Sequence, residues 1–108
     1  MQIQELEQAA DRAVELLKSL ANRSRLLILC QLAAGERSVG ELAGLIGMRD
    51  TAVSQQLALL RKDGLVRNRR HGQTIYYSLA SDEAAQVLRT LYALYCPAPD
   101  EGTAGLNP

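Results

Sequence analysis

The hydrophobic period of this 108-residue chain changes from 3.6 to 2 at Gly64. Before that point, residues 51–63 place Val53, Leu57 and Leu60 at i, i+4 and i+7, one face of a helix. Beyond it, Leu65-Val66-Arg67-Asn68-Arg69-Arg70 and Gln73-Thr74-Ile75-Tyr76-Tyr77-Ser78-Leu79 read as two short strands. His71-Gly72 lies between them as a two-residue hairpin turn, with the glycine supplying positive φ. A single late switch of period, confined to residues 65–79, excludes an all-β fold. It leaves a mostly α chain with a small β-hairpin.

The other segments are helical. Residues 4–20 carry Leu6, Ala10, Ala13, Val14, Leu17 and Leu20 on one face, with Glu5, Glu7, Asp11, Arg12 and Lys18 off it. Asn22 caps a second helix over 23–34, whose centre, Leu26-Leu27-Ile28-Leu29-Cys30-Gln31-Leu32, is apolar nearly all round and demands burial on several sides. Ser38-Val39-Gly40-Glu41 is a capping box opening a short helix with Val39, Leu42, Ala43 and Ile46 inward, ended by Gly47 as a left-handed residue. Asp50 is expected to cap the helix over 51–63, which leaves Thr51, Ser54, Gln55 and Arg61 facing out. Ser81 or Asp82 caps a last helix over 82–95, and Pro97 and Pro99 end it. Residues 1–96 form one domain, and 97–108 are expected to be a loose, flexible tail.

Apolar residues make up 47%, enough for a packed core, and nineteen Leu and fifteen Ala without Phe or Trp suit helices. No apolar run is long enough to span a membrane, and no signal peptide opens the chain, so a cytoplasmic home is expected. Twelve basic residues balance twelve acidic ones, which by itself argues against a nucleic-acid binder. The distribution argues otherwise. Residues 49–71 carry Arg49, Arg61, Lys62, Arg67, Arg69 and Arg70 against Asp50 and Asp63, while both flanks are mildly acidic.

Two short helices joined by a glycine-containing turn, the second polar outside, form a helix-turn-helix, and the Arg-rich hairpin behind them forms a wing. An α-helix fits the major groove, where Thr51, Ser54 and Gln55 can read base edges, Gln being suited to adenine. Arg61 on the same helix, with Arg67, Arg69, Arg70, His71 and Gln73 on the hairpin, can reach phosphates or the adjacent minor groove.

Leu20-Ala21-Asn22-Arg23-Ser24-Arg25-Leu26-Leu27-Ile28-Leu29 resembles the second helix of ArsR/SmtB-type winged-helix repressors. Residues 38–42 and 51–66 resemble that family's helix-turn-helix, and 70–79 its wing. The likeness spans about residues 12–96. Gln56 departs from it, since many members have His before the Leu, and stands as a weaker candidate reader. The resemblance implies about five helices and a two-stranded wing. It also implies a homodimer built on the first and last helices, binding a palindromic DNA operator. No enzyme activity, catalytic residue or cofactor is expected.

Metal-sensing members use cysteines on the helix before the recognition helix, or His and carboxylates on the last helix. Here residues 39–46 hold neither Cys nor His, and the sole His is His71 on the wing, so no metal site is expected. The cysteines are Cys30 and Cys96, too far apart in sequence for a CxxC motif. By residue physics Cys30 is a small buried hydrophobe, and neither setting marks a reactive thiol by itself. Their placement, with Cys96 in Leu91-Tyr92-Ala93-Leu94-Tyr95-Cys96, resembles the BigR/SqrR-type persulfide-sensing branch. That likeness implies a repressor that leaves its operator when reactive sulfur or oxidant joins the two thiols through a disulfide or polysulfide. In a reducing compartment such a bridge is a reversible switch. Competing readings are a metal- or metalloid-responsive repressor, a thiol oxidoreductase and a protein-interaction winged helix.

Overall fold

Helix boundaries in the computed structural model, which describes residues 1–96, follow local capping chemistry. Helix α1 (Ile3–Leu20) opens with the Gln2 N–H donating to the Glu5 carboxylate at 3.1 Å. Helix α2 (Arg23–Ala34) is capped by Asn22, whose side-chain oxygen accepts the Arg25 N–H at 3.0 Å. Strand β1 (Arg37–Ser38) runs directly into helix α3 (Val39–Ile46). There the capping box is complete, with Ser38 N–H donating to Glu41 at 2.8 Å and Glu41 N–H donating to Ser38 Oγ at 3.2 Å. Gly47 ends α3 at φ 79°, the left-handed conformation that a side chain would strain. Helix α4 (Asp50–Lys62), strands β2 (Val66–His71) and β3 (Thr74–Leu79), and helix α5 (Asp82–Tyr95) follow. Ser81 caps α5, accepting the Ala84 N–H at 3.0 Å.

Three expectations are corrected. Asp50 does not cap α4; Arg49 occupies that position without a side-chain cap bond, and Asp50 is the first helical residue. An acid there still suits the positive end of the helix dipole. The hairpin turn is Gly72-Gln73 rather than His71-Gly72, because His71 pairs with Thr74 inside the ladder. Gly72 at φ 63° is the first central residue, as a type II′ turn requires, while among the described residues no non-glycine residue has positive φ. The wing sheet also has a third strand, in the order β1-β3-β2, all antiparallel, with Arg37 opposite Tyr77 and Ser38 opposite Tyr76.

The core lies between α2 and the elements packed around it. Ile28, Leu29 and Leu32 of α2 meet Leu42, Ala43, Val53, Leu57 and Leu60 from the two following helices. Leu65 and Val66 at the base of the hairpin, and Ala84 and Leu88 of α5, close it. The expected inner face of α4, Val53-Leu57-Leu60, is fully buried. The apolar face of α1 lies largely outside this core: Leu6, Val14 and Leu17 are exposed, and Ser19 and Leu20 are its buried residues. At the far end of α5, Leu94 and Tyr95 are also exposed. No helix among the described residues is long and apolar enough to cross a membrane. The tail expected over 97–108 lies outside the described residues.

Candidate nucleic-acid interface and thiol pair

Burying Val53, Leu57 and Leu60 fixes the rotation of α4, so Thr51, Ser54, Gln55 and Arg61 emerge on its exposed side. Among the described residues, no hydrogen bond, ion pair or ring contact engages the side chains of Thr51, Ser54 or Gln55. Gln56 differs. It is half-buried, and Arg25 Nη1 of α2 donates to its amide oxygen at 3.4 Å. That bond turns Gln56 toward α2 and away from the row of candidate readers. Arg49, at the N-cap of α4, is exposed as well. Recognition helices present their N-terminal residues to bases, so Arg49 belongs with the candidates that sequence reasoning left out.

The hairpin carries cations on both faces. Side chains alternate along a strand, so Arg67, Arg69 and His71 share one face and Arg70 takes the other. Arg67, Arg70, His71 and Gln73 are exposed. Arg69 is engaged: Nε and Nη2 donate to the two Glu36 oxygens at 2.8 and 2.7 Å. Its guanidinium carbon also stands 5.0 Å from the centre of the Tyr76 ring, directly across the ladder. The hydrogen bond from Arg69 holds the Glu36 carboxyl below its ordinary range, and Glu36 raises Arg69 in turn. The basic face is therefore weaker than its arginine count suggests, since a carboxylate from the turn before β1 neutralises one of them. Glu36 was illegible in sequence because it lies 33 positions from its partner.

Cys30 lies in α2, half-buried against the core, and Cys96 is exposed at the C-cap of α5; both are free thiols standing apart. Burial pushes the Cys30 thiol up, and negative charge on Cys96 pushes it further. A charge on Cys96 is thus felt at Cys30. No group of three or more His, Cys, Asp or Glu side chains that could hold a metal exists among the described residues.

Residues 22–68 match the model of the bacterial regulatory proteins of the arsR family. The chain is 47% identical to the transcriptional activator HlyU of Vibrio cholerae serotype O1, over 91% of each chain. It is similar to the solved structure of reduced HlyU from Vibrio cholerae N16961, with a TM-score of 0.84 and 46% identity over 88% of this chain and all of that one. The transcriptional repressor BigR from Xylella fastidiosa has a TM-score of 0.82 and 40% identity, over 90% of this chain and 99% of that one. With a winged helix-turn-helix whose polar edge is left open and relatives that match it nearly end to end, this chain belongs to the arsR family of bacterial transcriptional regulators, not to the enzymes.

Proposed function

We propose that the protein is a homodimeric DNA-binding repressor whose operator affinity is switched by joining Cys30 to Cys96. The observation that carries the DNA reading is the open polar row Thr51-Ser54-Gln55 on α4, flanked by Arg61 and by Arg67 and Arg70 of the wing. Gln55 reads a base edge, and the arginines, His71 and Gln73 reach backbone phosphates or the minor groove. Arg69 joins them once it leaves Glu36. Two-fold pairing of the α1 and α5 faces covers Leu6, Val14, Leu17, Leu94 and Tyr95 and presents two recognition helices to a palindrome.

The sensing reading rests on the likeness to BigR and on the electrostatic link between the two thiols. A thiolate of the pair attacks the outer sulfur of a persulfide R–S–SH and releases R–SH, leaving a cysteine persulfide. The second thiolate attacks the protein-bound sulfur of that persulfide. A Cys30–Cys96 disulfide forms and hydrosulfide leaves, so two thiols are oxidised and one sulfane sulfur is reduced. If both cysteines first become persulfides, the same displacement leaves one extra sulfur in the bridge. A direct disulfide needs Cα atoms within about 7 Å, so closure draws the exposed end of α5 toward α2 unless inserted sulfur spans the gap. That movement strains both the dimer face and the support of α4.

The test is operator binding before and after treatment with an inorganic polysulfide, with mass spectrometry of both cysteines. Cys30→Ser and Cys96→Ser should each bind DNA and fail to release it. Normal release by either variant overturns the dithiol switch. Release by Zn(II) or As(III) without sulfur transfer would favour a metal-responsive repressor, and absence of salt-dependent DNA binding would favour a protein-interaction winged helix.

A further inference from the structure

Helix α1 joins the domain at its last turn, where Ser19 and Leu20 are buried and Leu16 packs partly against the core. Farther along, α1 meets α5 through an exposed Arg12–Glu83 ion pair at 4.0 Å, a contact too solvated to hold the helix, so α1 pivots at its last turn unless something fixes its direction. Arg25 Nε donates to the Ser19 carbonyl at 2.8 Å, and Nη2 donates to the Lys18 carbonyl at 3.2 Å. Those carbonyls lie in the last turn of α1, where C=O groups lack helical partners and the dipole is negative. The same guanidinium extends Nη1 to Gln56 of α4. Ser19 Oγ independently donates to Asp63, the C-cap residue of α4, at 3.0 Å. The Asn22 cap bonds the Arg25 backbone N–H and so fixes the root of this side chain.

We infer that Arg25, with the Ser19–Asp63 bond, is the joint that sets the angle between α1 and the recognition helix α4. The inference rests on the dimeric DNA-binding reading. In a dimer built on α1, that angle fixes the separation of the two recognition helices and therefore the half-site spacing. Arg25 is a positioning residue and does not contact DNA. Its planar fork holds carbonyls of one helix and an amide of another simultaneously, which the single ammonium of Lys does not reproduce.

The test uses duplexes selected by the wild-type protein from a random pool: the inverted repeat, versions with its half-sites respaced by one base pair, and a single half-site. Arg25→Lys should lose about tenfold on the selected repeat and shift or broaden the spacing optimum, while half-site affinity stays within about twofold and the salt slope is unchanged. If Arg25→Lys fails to fold by circular dichroism, Ser19→Ala should show the same shift in weaker form. Unaltered spacing preference in the folded variant overturns the inference, as does equal loss on both duplexes. A salt slope lower by about one also overturns it, by marking Arg25 as a phosphate contact. Sedimentation separates the two failures: a wild-type protein that stays monomeric on the repeat overturns the dimeric reading and the joint with it.

Discussion

Helices α1 and α2 are neighbours in sequence with opposite fates. Helix α1 has the apolar stripe and charged back expected of a helix lying on a core, yet nearly all of it is exposed. Helix α2 has almost no polar face, and Ile28 and Leu29 are fully buried. A hydrophobic stripe states that something must cover it but not whether the cover comes from the same chain. An all-round apolar helix leaves no such freedom, because one neighbour cannot cover every side.

The contrast is broken most severely through α2. Leu29→Ala removes a fully buried side chain and should cost about 2–5 kcal/mol, a large share of a small domain's stability, measured by denaturant unfolding. In α1, Leu17 is 55% exposed. Leu17→Lys should leave helix content unchanged and weaken self-association by about 2 kcal/mol, some 30-fold in Kd by sedimentation equilibrium. A stable dimer in that variant would mean that another face covers the stripe.

The distinction between open and engaged groups recurs within the wing. Arg70→Ala should lower the salt slope of DNA binding by about one, whereas Arg69→Ala should lower it less because Glu36 already holds that charge. In a Glu36→Gln background the two arginine substitutions should become equivalent, and equal slopes without that change would sink the assignment. The smallest expected effect concerns the thiols. Burial and the Cys96 charge keep Cys30 protonated to higher pH than an ordinary thiol, so its labelling rate should rise about tenfold per pH unit below its midpoint. Cys96→Ser removes the second cause and should move that midpoint down; an unmoved midpoint would deny the electrostatic link.

Local chemistry was legible in the sequence. Asn22, Ser38 with Glu41, Gly47 and Ser81 act within a few residues of themselves, and each ends or begins a helix where its side chain or backbone dictates. The buried face of α4, and with it the open polar row, followed from Val53-Leu57-Leu60 alone. Partnerships between distant segments were not legible. A strand as short as β1 has no measurable period, and its existence depends on Tyr76 and Tyr77 arriving from the hairpin. His71-Gly72 and Gly72-Gln73 both place Gly72 in the turn, and pairing of His71 with Thr74 decides between them. Arg25 stood in the helix motif as one letter of a pattern; its reach to Lys18, Ser19 and Gln56 exists only once three helices meet.

Ser38 has two duties. It sits opposite Tyr76 in the sheet, and its side chain caps the helix that starts at the next residue. No slack chain separates the wing from the helix-turn-helix. Whatever tugs the hairpin, whether a phosphate drawing Arg67 or Arg69 leaving Glu36, tugs the root of α3 in the same stroke. In the proposed DNA complex the wing serves as a handle on the helix-turn-helix, and a loop inserted after Ser38 would uncouple the two.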